Sequence, residues 1–417
     1  MSDTEDIPAM AELFPTVEDR GIDRPAREAV AESVRGATLL LTGAGGSLGR
    51  TLARRLARLP VERLLCLDTS EQGLVQLRDR LGDGECPSRP ARGAGGTAAG
   101  PRPDVEYLLA DLRRAPDRAR ALRARPDVVV HAAAYKHVPF LEERPVAAAQ
   151  NNLLATAEWL EDCCDHAAVR RFVLVSTDKA VRPSGVMGRT KAAAEHLLRA
   201  LRAEATPGLG ATTVRLCNVF GSRGSVVPRF CRRLQAGAPL PVTHPDMERW
   251  FVTRAEAVRA VLGVLRHEAG TYVPTTGRRV RIENLARRLV RWHRPDADPE
   301  RWIRVVGPRA GERLREVLLA PAERPGTSVG DGLRRARTRP PTLTMDALRQ
   351  HLDQLRRACR AGDAAAVRAH LRAMVPDASN PAPAEQDLPL DSADERTVDG
   401  SVAGPVQGGD SARDGFL

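Results

Sequence analysis

Lysine is nearly absent from this chain of 417 residues, and its three lysines lie within one short stretch. They are Lys136, Lys179 and Lys191, and arginine makes up the rest of the 64 basic residues. An arginine side chain stays protonated, whereas an ammonium group can lose its proton and act as a base. The three lysines are therefore candidates for proton chemistry. We favour this interpretation over an arginine-rich composition in which they persist by accident.

The segment VSTDKAVRPSGVMGRTK contains two of these lysines. Thr177, Asp178 and Lys179 come at the end of a predicted strand, where polar side chains gather at the edge of a parallel sheet. An adjacent carboxyl and amine are the two partners that a proton transfer requires. The alternative is an ion-paired turn at the surface, and the strand-end position favours the catalytic interpretation.

Lys191 begins the following helix, four residues after Met187. Short-chain dehydrogenases carry tyrosine at that earlier position, because one helical turn places the two side chains on one face. Methionine cannot exchange a proton, so either the protein is inactive or another group deprotonates the substrate. We favour the second interpretation because Asp178 and Lys179 supply acid–base groups nearby.

A glycine-rich turn between the first predicted strand and its helix indicates a nucleotide site. Glycine permits a tight turn and lets backbone N–H groups approach a pyrophosphate at the helix N-terminus. Asp68 ends the next strand, where a carboxylate binds the ribose diol of adenosine and repels a 2′-phosphate. We expect NAD, with NADP as an alternative because arginines lie nearby; a purely structural turn is the other interpretation. The turn residues assigned to the cofactor are Gly43, Gly46, Ser47, Leu48 and Gly49.

Two further strand ends complete the predicted cofactor site. Asp111 and Leu112 follow one strand, and we expect Asp111 to lie against the adenine. Ala132 and Ala133 end another strand with small side chains, which let a flat cofactor lie against the backbone. Lys136 follows at the same edge, where ligands bind in doubly wound sheets.

Short apolar runs separated by helical segments predict how these residues are positioned. Runs such as ATLLLTG, DVVVHAAA and RRFVLVSTD suit buried parallel strands. We predict an α/β fold, a Rossmann-like doubly wound parallel sheet with a smaller, discontinuous C-terminal substrate-binding domain. The predicted divisions are an N-terminal linker and helix at 1–36, an NAD(P)-binding Rossmann domain at 37–220, a flexible insertion at 82–104, a mainly substrate-binding region at 221–342, C-terminal helices at 343–375 and a disordered tail at 376–417.

Composition excludes several classes of function. The net charge is +11, but the arginines are mixed with acids and only three tyrosines and seven phenylalanines are available to stack on bases, so we expect no nucleic acid. No apolar run suits a membrane span, and the acidic N-terminus lacks a secretory pattern. The seven cysteines are odd in number and show no metal-ligand spacing. We therefore expect reduced thiols, no metal site and a cytoplasmic location.

Several motifs in one order give the chain a family resemblance over roughly residues 37–330. They are TGAGGSLGR, HAAAYKHVPFLEERP, the NN of AAAQNNLLAT, STDKAVRPSGVMGRTK, NVFGSRGSVVPRF, the THP and RWF of VTHPDMERWF, and GPRAGERLRE. With these motifs the chain resembles the nucleotide-sugar 4,6-dehydratases of the polysaccharide-biosynthesis group, within the extended short-chain dehydrogenases. It looks like the variant with methionine in place of tyrosine. Many such members are membrane proteins, and this chain resembles their cytosolic half, without the membrane domain.

The resemblance implies an NAD(P)-dependent hydro-lyase acting on UDP-N-acetylglucosamine. In that family the cofactor takes a hydride from C4, water is eliminated across C5 and C6, and the hydride returns to C6, which gives a UDP-4-keto-6-deoxy sugar. The resemblance implies that Asp178 protonates the departing 6-hydroxyl, that Lys179 removes the C5 proton and that Thr177 holds the C4 oxygen. Lys191 would bind the nicotinamide ribose and help to deprotonate the 4-hydroxyl.

The resemblance also implies a substrate site. Gly185 stands where the family usually has asparagine, which removes a polar group near the substrate. Relatives often associate through helices flanking the sheet, so a homo-oligomer is expected. The alternatives are a nucleotide-sugar epimerase of the same superfamily and a non-catalytic regulator that binds NAD and a nucleotide sugar. The residues assigned to the UDP-sugar are Lys136, Met187, Asn218, Arg223, Arg309 and Glu312.

Overall fold

The structure, a computed structural model, describes residues 7–14, 24–82, 103–204, 208–320, 323–338, 340 and 342–376. Most of the insertion predicted at 82–104 and of the tail predicted at 376–417 lies outside the described residues. Within these ranges the short apolar runs of the sequence form strands. The strands are β1 (Thr38–Thr42), β2 (Arg63–Asp68), β3 (Asp104–Leu109), β4 (Val128–His131), β5 (Arg171–Thr177), β6 (Gly210–Leu216), β7 (Asn218–Val219), β8 (Leu240–Val242), β9 (Glu248–Val252), β10 (Thr271–Pro274), β11 (Arg278–Arg281), β12 (Ile303–Val305), β13 (Arg324–Gly330) and β14 (Leu333–Arg337).

Nine of these strands form one central sheet in the order β13-β14-β10-β6-β5-β4-β1-β2-β3. The seven strands from β10 to β3 are parallel, whereas β13 and β14 extend one edge in antiparallel pairs. Strand order runs outward in opposite directions from β1, which pairs with both β2 and β4. The carboxyl ends of β1 and β4 therefore flank the crevice in which doubly wound sheets bind ligands. This architecture confirms the predicted fold class.

Helices cover both faces of the sheet because its strands are apolar on both sides. In β1, for example, Leu39 and Leu41 belong to one buried cluster and Leu40 belongs to the other. A π-helical segment, Ala149–Leu154, joins two of the helices. The α-helices are α1 (Met10–Leu13), α2 (Arg24–Ser33), α3 (Ser47–Leu56), α4 (Glu71–Gly82), α5 (Ala115–Leu122), α6 (Val138–Glu143), α7 (Pro145–Ala148), α8 (Ala155–Asp165), α9 (Val186–Ala203), α10 (Val226–Gln235), α11 (Arg254–Gly263), α12 (Ile282–His293), α13 (Met345–Arg360) and α14 (Ala364–Met374).

A smaller lobe is built around its own buried cluster. Strands β7, β9 and β11 form a three-stranded sheet and β8 pairs with β12, while α10 and α12 contribute Phe230 and Leu289 to the cluster. Strands β10, β13 and β14 come from the same stretch of sequence but join the central sheet. The second lobe is therefore discontinuous.

The first described residues pack onto this smaller lobe. Met10, Leu13 and Phe14 are buried in its cluster. The guanidinium of Arg288 donates to the Leu13 carbonyl over 2.7 Å and lies 4.9 Å from the centre of the Phe14 ring. Part of the segment predicted as an N-terminal linker thus belongs to the folded lobe.

Helices α13 and α14 pack against α9, α7 and the π-helical segment, on one face of the central sheet. Arginine contacts join them to the rest of the molecule, and one of these pairs Arg356 of α13 with Glu158 of α8 over 3.4 Å. Arg189 of α9 donates to the Val375 carbonyl over 2.6 Å, and Arg368 of α14 pairs with the Glu142 carboxylate over 3.1 Å. The C-terminal helices predicted at 343–375 therefore support the helix that carries Lys191.

Candidate active site

The carboxyl end of β5 brings together four polar residues that the sequence singles out. Asp178 starts a short 3-10 turn, and its side chain is fully buried. Its Oδ1 atom accepts a hydrogen bond from Thr177 Oγ1 over 2.8 Å and one from Lys179 Nζ over 2.9 Å. Lys179 Nζ also donates to Asn218 Oδ1 over 3.3 Å. A carboxylate and an amine, the groups needed for proton transfer, are thus in direct contact.

Lys191 lies on α9, beside this cluster, and its burial changes its chemistry. The residue is 4% exposed, and its Nζ forms no hydrogen bond with the residues that the structure describes. Burial lowers the pKa of Lys191 to about 8, while the nearby carboxylate of Glu195 opposes that shift. A lysine with such a pKa exchanges its proton near neutral pH, as a base for a sugar hydroxyl must.

Met187, one helical turn before Lys191, packs into the hydrophobic core. It is 5% exposed and belongs to the buried cluster on the α9 side of the sheet. The Thr190 hydroxyl donates to its carbonyl over 2.7 Å, within the same helix. A contact between the Met187 side chain and a substrate stays a prediction.

The glycine turn lies against the end of β4. Gly43 has a φ of +72°, and a Cβ at this position would lie 2.7 Å from the backbone nitrogen of Ala133 and 2.8 Å from the carbonyl carbon of Ala132. A Cβ on Gly49 would lie 1.9 Å from the Gly43 carbonyl oxygen. Gly46 precedes α3 as its N-cap. Close backbone packing thus requires glycine at 43 and 49 and leaves the N-terminus of α3 open at the crevice.

Asp68 supports this turn directly. One carboxylate oxygen accepts from the backbone nitrogen of Gly45 over 2.8 Å, and the other accepts from that of Ser70 over 2.8 Å. Each oxygen keeps a second lone pair for a ribose hydroxyl. Asp68 therefore lies beside the turn, at the position where the sequence places a ribose-binding carboxylate.

Asp111 and Leu112 are neighbours in sequence, but their side chains lie in different environments. The Asp111 carboxylate pairs with the Arg113 guanidinium over 2.6 Å, and this hydrogen bonding lowers the pKa of Asp111. Leu112 is buried, and its carbonyl accepts a hydrogen bond from Arg118. Asp111 is partly exposed after the end of β3, and its contact with the adenine stays a prediction, whereas the Leu112 side chain belongs to the core.

A basic cluster lies between the glycine turn and the smaller lobe. The backbone nitrogen of Arg223 donates to Ser47 Oγ over 3.1 Å, which places this residue against the start of α3. Partial desolvation, together with the charges of Arg223 and Arg254, lowers the pKa of Lys136. The side chain of Lys136 still reaches solvent. Concentrated positive charge of this kind suits an anionic ligand.

Arg309 and Glu312 lie together on the segment that follows β12. The backbone nitrogen of Arg309 donates to Glu312 Oε2 over 3.3 Å, so the two residues form one turn. The charge of Arg309 also lowers the pKa of Arg229 on α10, after the larger effect of burial. The structure thus places this predicted pair at the side of the smaller lobe.

Gly185 packs against other residues of the protein, Glu142 and Gly311. It is the N-cap of α9 and has no side chain to bind the free backbone N–H groups there. Glu142 supplies that acceptor, because its Oε1 accepts from the backbone nitrogen of Val186. A Cβ at Gly185 would lie 2.3 Å from the same oxygen and 3.1 Å from Gly311 Cα. A carboxylate from α6 therefore takes the place of a capping side chain at this position.

Three groups received no assigned role from the sequence. Asn152 is fully buried on the π-helical segment, and its amide binds both the nitrogen and the carbonyl of Tyr135, over 2.8 and 2.9 Å. It thereby holds the loop that carries Lys136. The pair of asparagines in AAAQNNLLAT, polar within an apolar helix, was the available signal.

The second group is a buried ion network. Arg215 on β6 pairs with Glu195 of α9 and with Glu323, each over 2.6 Å, and donates to the Leu318 carbonyl. Although burial alone would raise the pKa of Glu195, the charge and hydrogen bonds of Arg215 lower it. An arginine inside the apolar run ATTVRLCNV signalled this network, which joins α9 to the segment after β12.

The third is Glu316, the last residue of GPRAGERLRE. It is 8% exposed, and its electrostatic neighbours include Lys179 and Asp178. Its position in a motif already singled out was the signal; its distance in sequence from β5 concealed this electrostatic relation.

Residues 39–334 match the model of a family described as polysaccharide biosynthesis protein. The chain belongs to this family. It is 35% identical over 296 residues to the capsular polysaccharide biosynthesis protein CapD of Staphylococcus aureus. The matched region is 70% of this chain and 46% of CapD. The chain therefore spans about half the length of that relative.

Two further proteins are similar to this member of the family. A UDP-N-acetylglucosamine 4,6-dehydratase (inverting) of Campylobacter jejuni is 33% identical over 226 residues, or 52% of this chain and 63% of that enzyme. The crystal structure of DesIV, a dTDP-glucose 4,6-dehydratase of Streptomyces venezuelae with NAD and TYD bound, superposes with a TM-score of 0.56 at 23% identity. That match covers 76% of this chain and 97% of DesIV, and it supports the fold. Among the described helices, none is both long and apolar enough to cross a membrane.

Proposed function

We propose that this protein is a nucleotide-sugar 4,6-dehydratase that converts UDP-N-acetylglucosamine to a UDP-4-keto-6-deoxy sugar. The observation that carries the proposal is the contact between Asp178 and Lys179 at the end of β5, beside the buried Lys191. Oxidation at C4 alone, as in an epimerase, needs one base. Elimination of water needs in addition a base at C5 and an acid at C6, and the strand end supplies an amine and a carboxyl.

The residues present fit a dinucleotide. Lys191 is 4% exposed as a residue, and its Nζ has no hydrogen-bond partner among the described residues, which suits the hydroxyls of a nicotinamide ribose. The turn at Gly43 and Gly49 leaves the α3 N-terminus open to a pyrophosphate. Asp68 disfavours a 2′-phosphate at the adenosine end, so NAD is proposed over NADP. When bound, NAD supplies the group that accepts a hydride and returns it.

The chain's own residues divide the remaining work. Thr177 is placed to hold the C4 oxygen, and Lys191 takes the proton of the 4-hydroxyl, since the neutral Met187 cannot. The C4 ketone acidifies the C5 proton, which passes to the Nζ of Lys179. The family resemblance gives the acid at the 6-hydroxyl to Asp178.

The diphosphate of the substrate fits the positive residues around the crevice. We assign Arg223 and Arg309 to it, because a guanidinium binds phosphate oxygens with two donors. Asn218, which contacts Lys179, is assigned to the sugar, and Glu312 to a ribose or sugar hydroxyl. A homo-oligomer remains part of the proposal; α13 and α14 cover part of the helical surface on one face of the sheet.

The test is incubation of the protein with UDP-N-acetylglucosamine and NAD in deuterated water. Mass spectrometry and proton NMR are expected to show a 4-keto-6-deoxy sugar that carries deuterium from solvent at C5. An altered C4 configuration with the 6-hydroxyl retained would establish an epimerase instead. Tight binding without any product would establish a regulator.

The base is tested by Lys179→Arg. Arginine keeps the positive charge beside Asp178 but does not release its proton, so turnover is expected to fall by at least about 100-fold. A Lys179→Arg variant with full dehydratase activity would show that another group removes the C5 proton.

A further inference from the structure

A cavity of about 680 Å³ lies at the end of the central sheet where its parallel strands begin, whereas the candidate active site lies where they end. The end of α9, the start of β10 and the antiparallel strands β13 and β14 contribute to its walls. Its volume is typical of a site for a small organic molecule. None of the described residues that line it belongs to the candidate active site.

Strand β6 gives the separation between this cavity and the active site. Arg202, in the cavity wall, donates to the Ala211 carbonyl near the start of β6 over 3.0 Å. Thr177, in the candidate active site, pairs with Leu216 at the other end of the same strand. The strand advances about 3.3 Å per residue, so Ala211 and Leu216 lie about 17 Å apart. The cavity is therefore a separate site and not an extension of the crevice.

The wall of this cavity is positively charged. Arg202, Arg335 and Arg337 line it, and none of its described lining residues is acidic. Glu268 pairs with Arg335 over 2.9 Å from outside the cavity, and its side chain is 83% exposed. The guanidinium of Arg337 forms no hydrogen bond or ion pair with any residue in the described ranges. Positive charge gathered in a concave surface attracts anionic ligands.

Hydrogen bonds hold two of these arginines in place. Arg202 donates to the Gly270 carbonyl over 3.4 Å and to Thr271 Oγ1 over 3.3 Å. Arg335 donates to the Ala269 carbonyl over 2.9 Å. A Cβ on Gly270 would lie 2.9 Å from Nε of Arg335, so glycine at this position leaves room for the guanidinium. Because the acceptors are uncharged oxygens, these contacts orient the two side chains without neutralising them.

The surroundings of Arg202 disfavour its own positive charge. Burial lowers the pKa of Arg202 to about 10, and the charges of Arg199 and Arg335 contribute to this decrease. The carboxylate of Glu195 opposes it. An anion bound in the cavity would favour the charged guanidinium and so offset the effect of burial.

The rest of the wall offers hydroxyl groups and aliphatic side chains. Thr271, Thr327 and Thr338 line the cavity, and their hydroxyls can donate to anionic oxygens. Leu201 and Leu209 contribute aliphatic surface. Such a combination suits a ligand that carries negative charge at one end and has a less polar body.

We propose that this cavity binds a phosphorylated organic molecule of nucleotide size. Its phosphate groups contact Arg335 and Arg337, because a guanidinium binds phosphate oxygens with two parallel donors. Its less polar body lies against Leu201 and Leu209. This second site is additional to the dehydratase function proposed above and does not depend on it.

The experiment is isothermal titration calorimetry with two probes, ADP and inorganic pyrophosphate. The protein is saturated with NAD beforehand, so that ADP does not bind at the glycine turn. Wild-type protein is expected to bind ADP at least about tenfold more tightly than pyrophosphate, because the nucleoside adds contacts with the aliphatic wall. Arg335→Gln and Arg337→Gln are each expected to weaken ADP binding by at least about tenfold, since each removes a charged donor.

Two other arginine variants are the matched controls. Arg223→Gln removes a positive charge from the crevice, and Arg301→Gln removes one from the surface, where the Arg301 side chain is 85% exposed. Both are expected to bind ADP within about twofold of wild type at physiological salt, which screens distant charges. Arg337→Gln is expected to keep the wild-type affinity for NAD and the wild-type melting temperature, because Arg337 is exposed.

Four results would overturn the proposal. Absence of ADP binding up to about 1 mM would show that the cavity takes no such ligand. A loss of binding in Arg223→Gln alone would place ADP in the crevice. An equal loss in all four variants would reduce the binding to unspecific charge attraction. Pyrophosphate bound as tightly as ADP would refute the assignment to an organic phosphate.

Discussion

Replacement of Lys191 by methionine is expected to stabilise the NAD-free protein. Burial moves the pKa of this lysine from 10.5 to about 8, and each pKa unit corresponds to about 1.4 kcal/mol. Keeping the ammonium in the native state at pH 7 therefore costs about 3 kcal/mol. Methionine has a similar length and no charge, so Lys191→Met should remove that cost while it abolishes turnover.

The pH dependence of this gain follows from the direction of the shift. Below about pH 8 the lysine is charged in both native and unfolded protein, so the cost is fully present. Between about 8 and 10.5 the native state has lost its proton and the unfolded state has not, so wild-type stability rises with pH. The advantage of Lys191→Met should shrink from about 3 kcal/mol at pH 7 to about 1 kcal/mol at pH 9.5.

Urea unfolding of both proteins at several pH values measures this difference. Lys136→Met is the control: the side chain of Lys136 reaches solvent, so its loss should change the free energy of unfolding by less than about 1 kcal/mol. An advantage that does not vary with pH would show that the charge of Lys191 is not its cause. A Lys191→Met protein less stable than wild type at pH 7 would refute the reasoning altogether.

Three further substitutions test the supports of the site. Arg215→Leu leaves the buried Glu195 without its ion-pair partner and Glu323 with only Arg199, at 4.0 Å, and should lower the free energy of unfolding in urea by about 3–5 kcal/mol; a loss below about 1 kcal/mol would contradict this. Gly185→Asn should lower the free energy of unfolding by about 1–3 kcal/mol, because the new Cβ overlaps with the Glu142 carboxylate. In a double-mutant cycle, adding Glu142→Ala should recover at least about 1 kcal/mol of that free energy. If the effects of the two substitutions simply add, the overlap is excluded. Gly49→Ala should weaken NAD binding in calorimetry by more than about tenfold, because its methyl group meets a backbone carbonyl; unchanged affinity would show that the turn adjusts.

Local sequence patterns were sufficient to predict the strands of the central sheet and the polar residues at their ends. A run such as RRFVLVSTD identifies both a buried strand and the polar residues that follow it, because strand and site are adjacent in sequence. The contact of Asp178 with Lys179 and the position of Asp68 beside the glycine turn follow from this adjacency. The antiparallel strands β13 and β14 extend one edge of the sheet and leave the order of its parallel strands unchanged.

Contacts between distant segments were beyond the reach of the same patterns. Leu318, on the segment after β12, accepts a hydrogen bond from Arg215 of β6, 103 residues earlier in the sequence. Gly185, interpreted from the sequence as a lost substrate contact, packs against Glu142, which the sequence places 43 residues earlier. Such pairs depend on the path of the chain between elements, and periodicity does not encode that path.

The anchoring of α9 by the C-terminal helices has a consequence for the order in which the protein matures. Among the described elements, α14 is the last to be synthesised. Glu142 accepts a hydrogen bond from the first turn of α9, and Arg368 of α14 holds the Glu142 carboxylate by an ion pair. Until Arg368 has been synthesised, Glu142 lacks this ion pair. We therefore expect a nascent chain to complete its parallel sheet before α9, the helix that carries Lys191, is fully supported. The surroundings of Lys191 on α9 are then complete only after α14 has been synthesised.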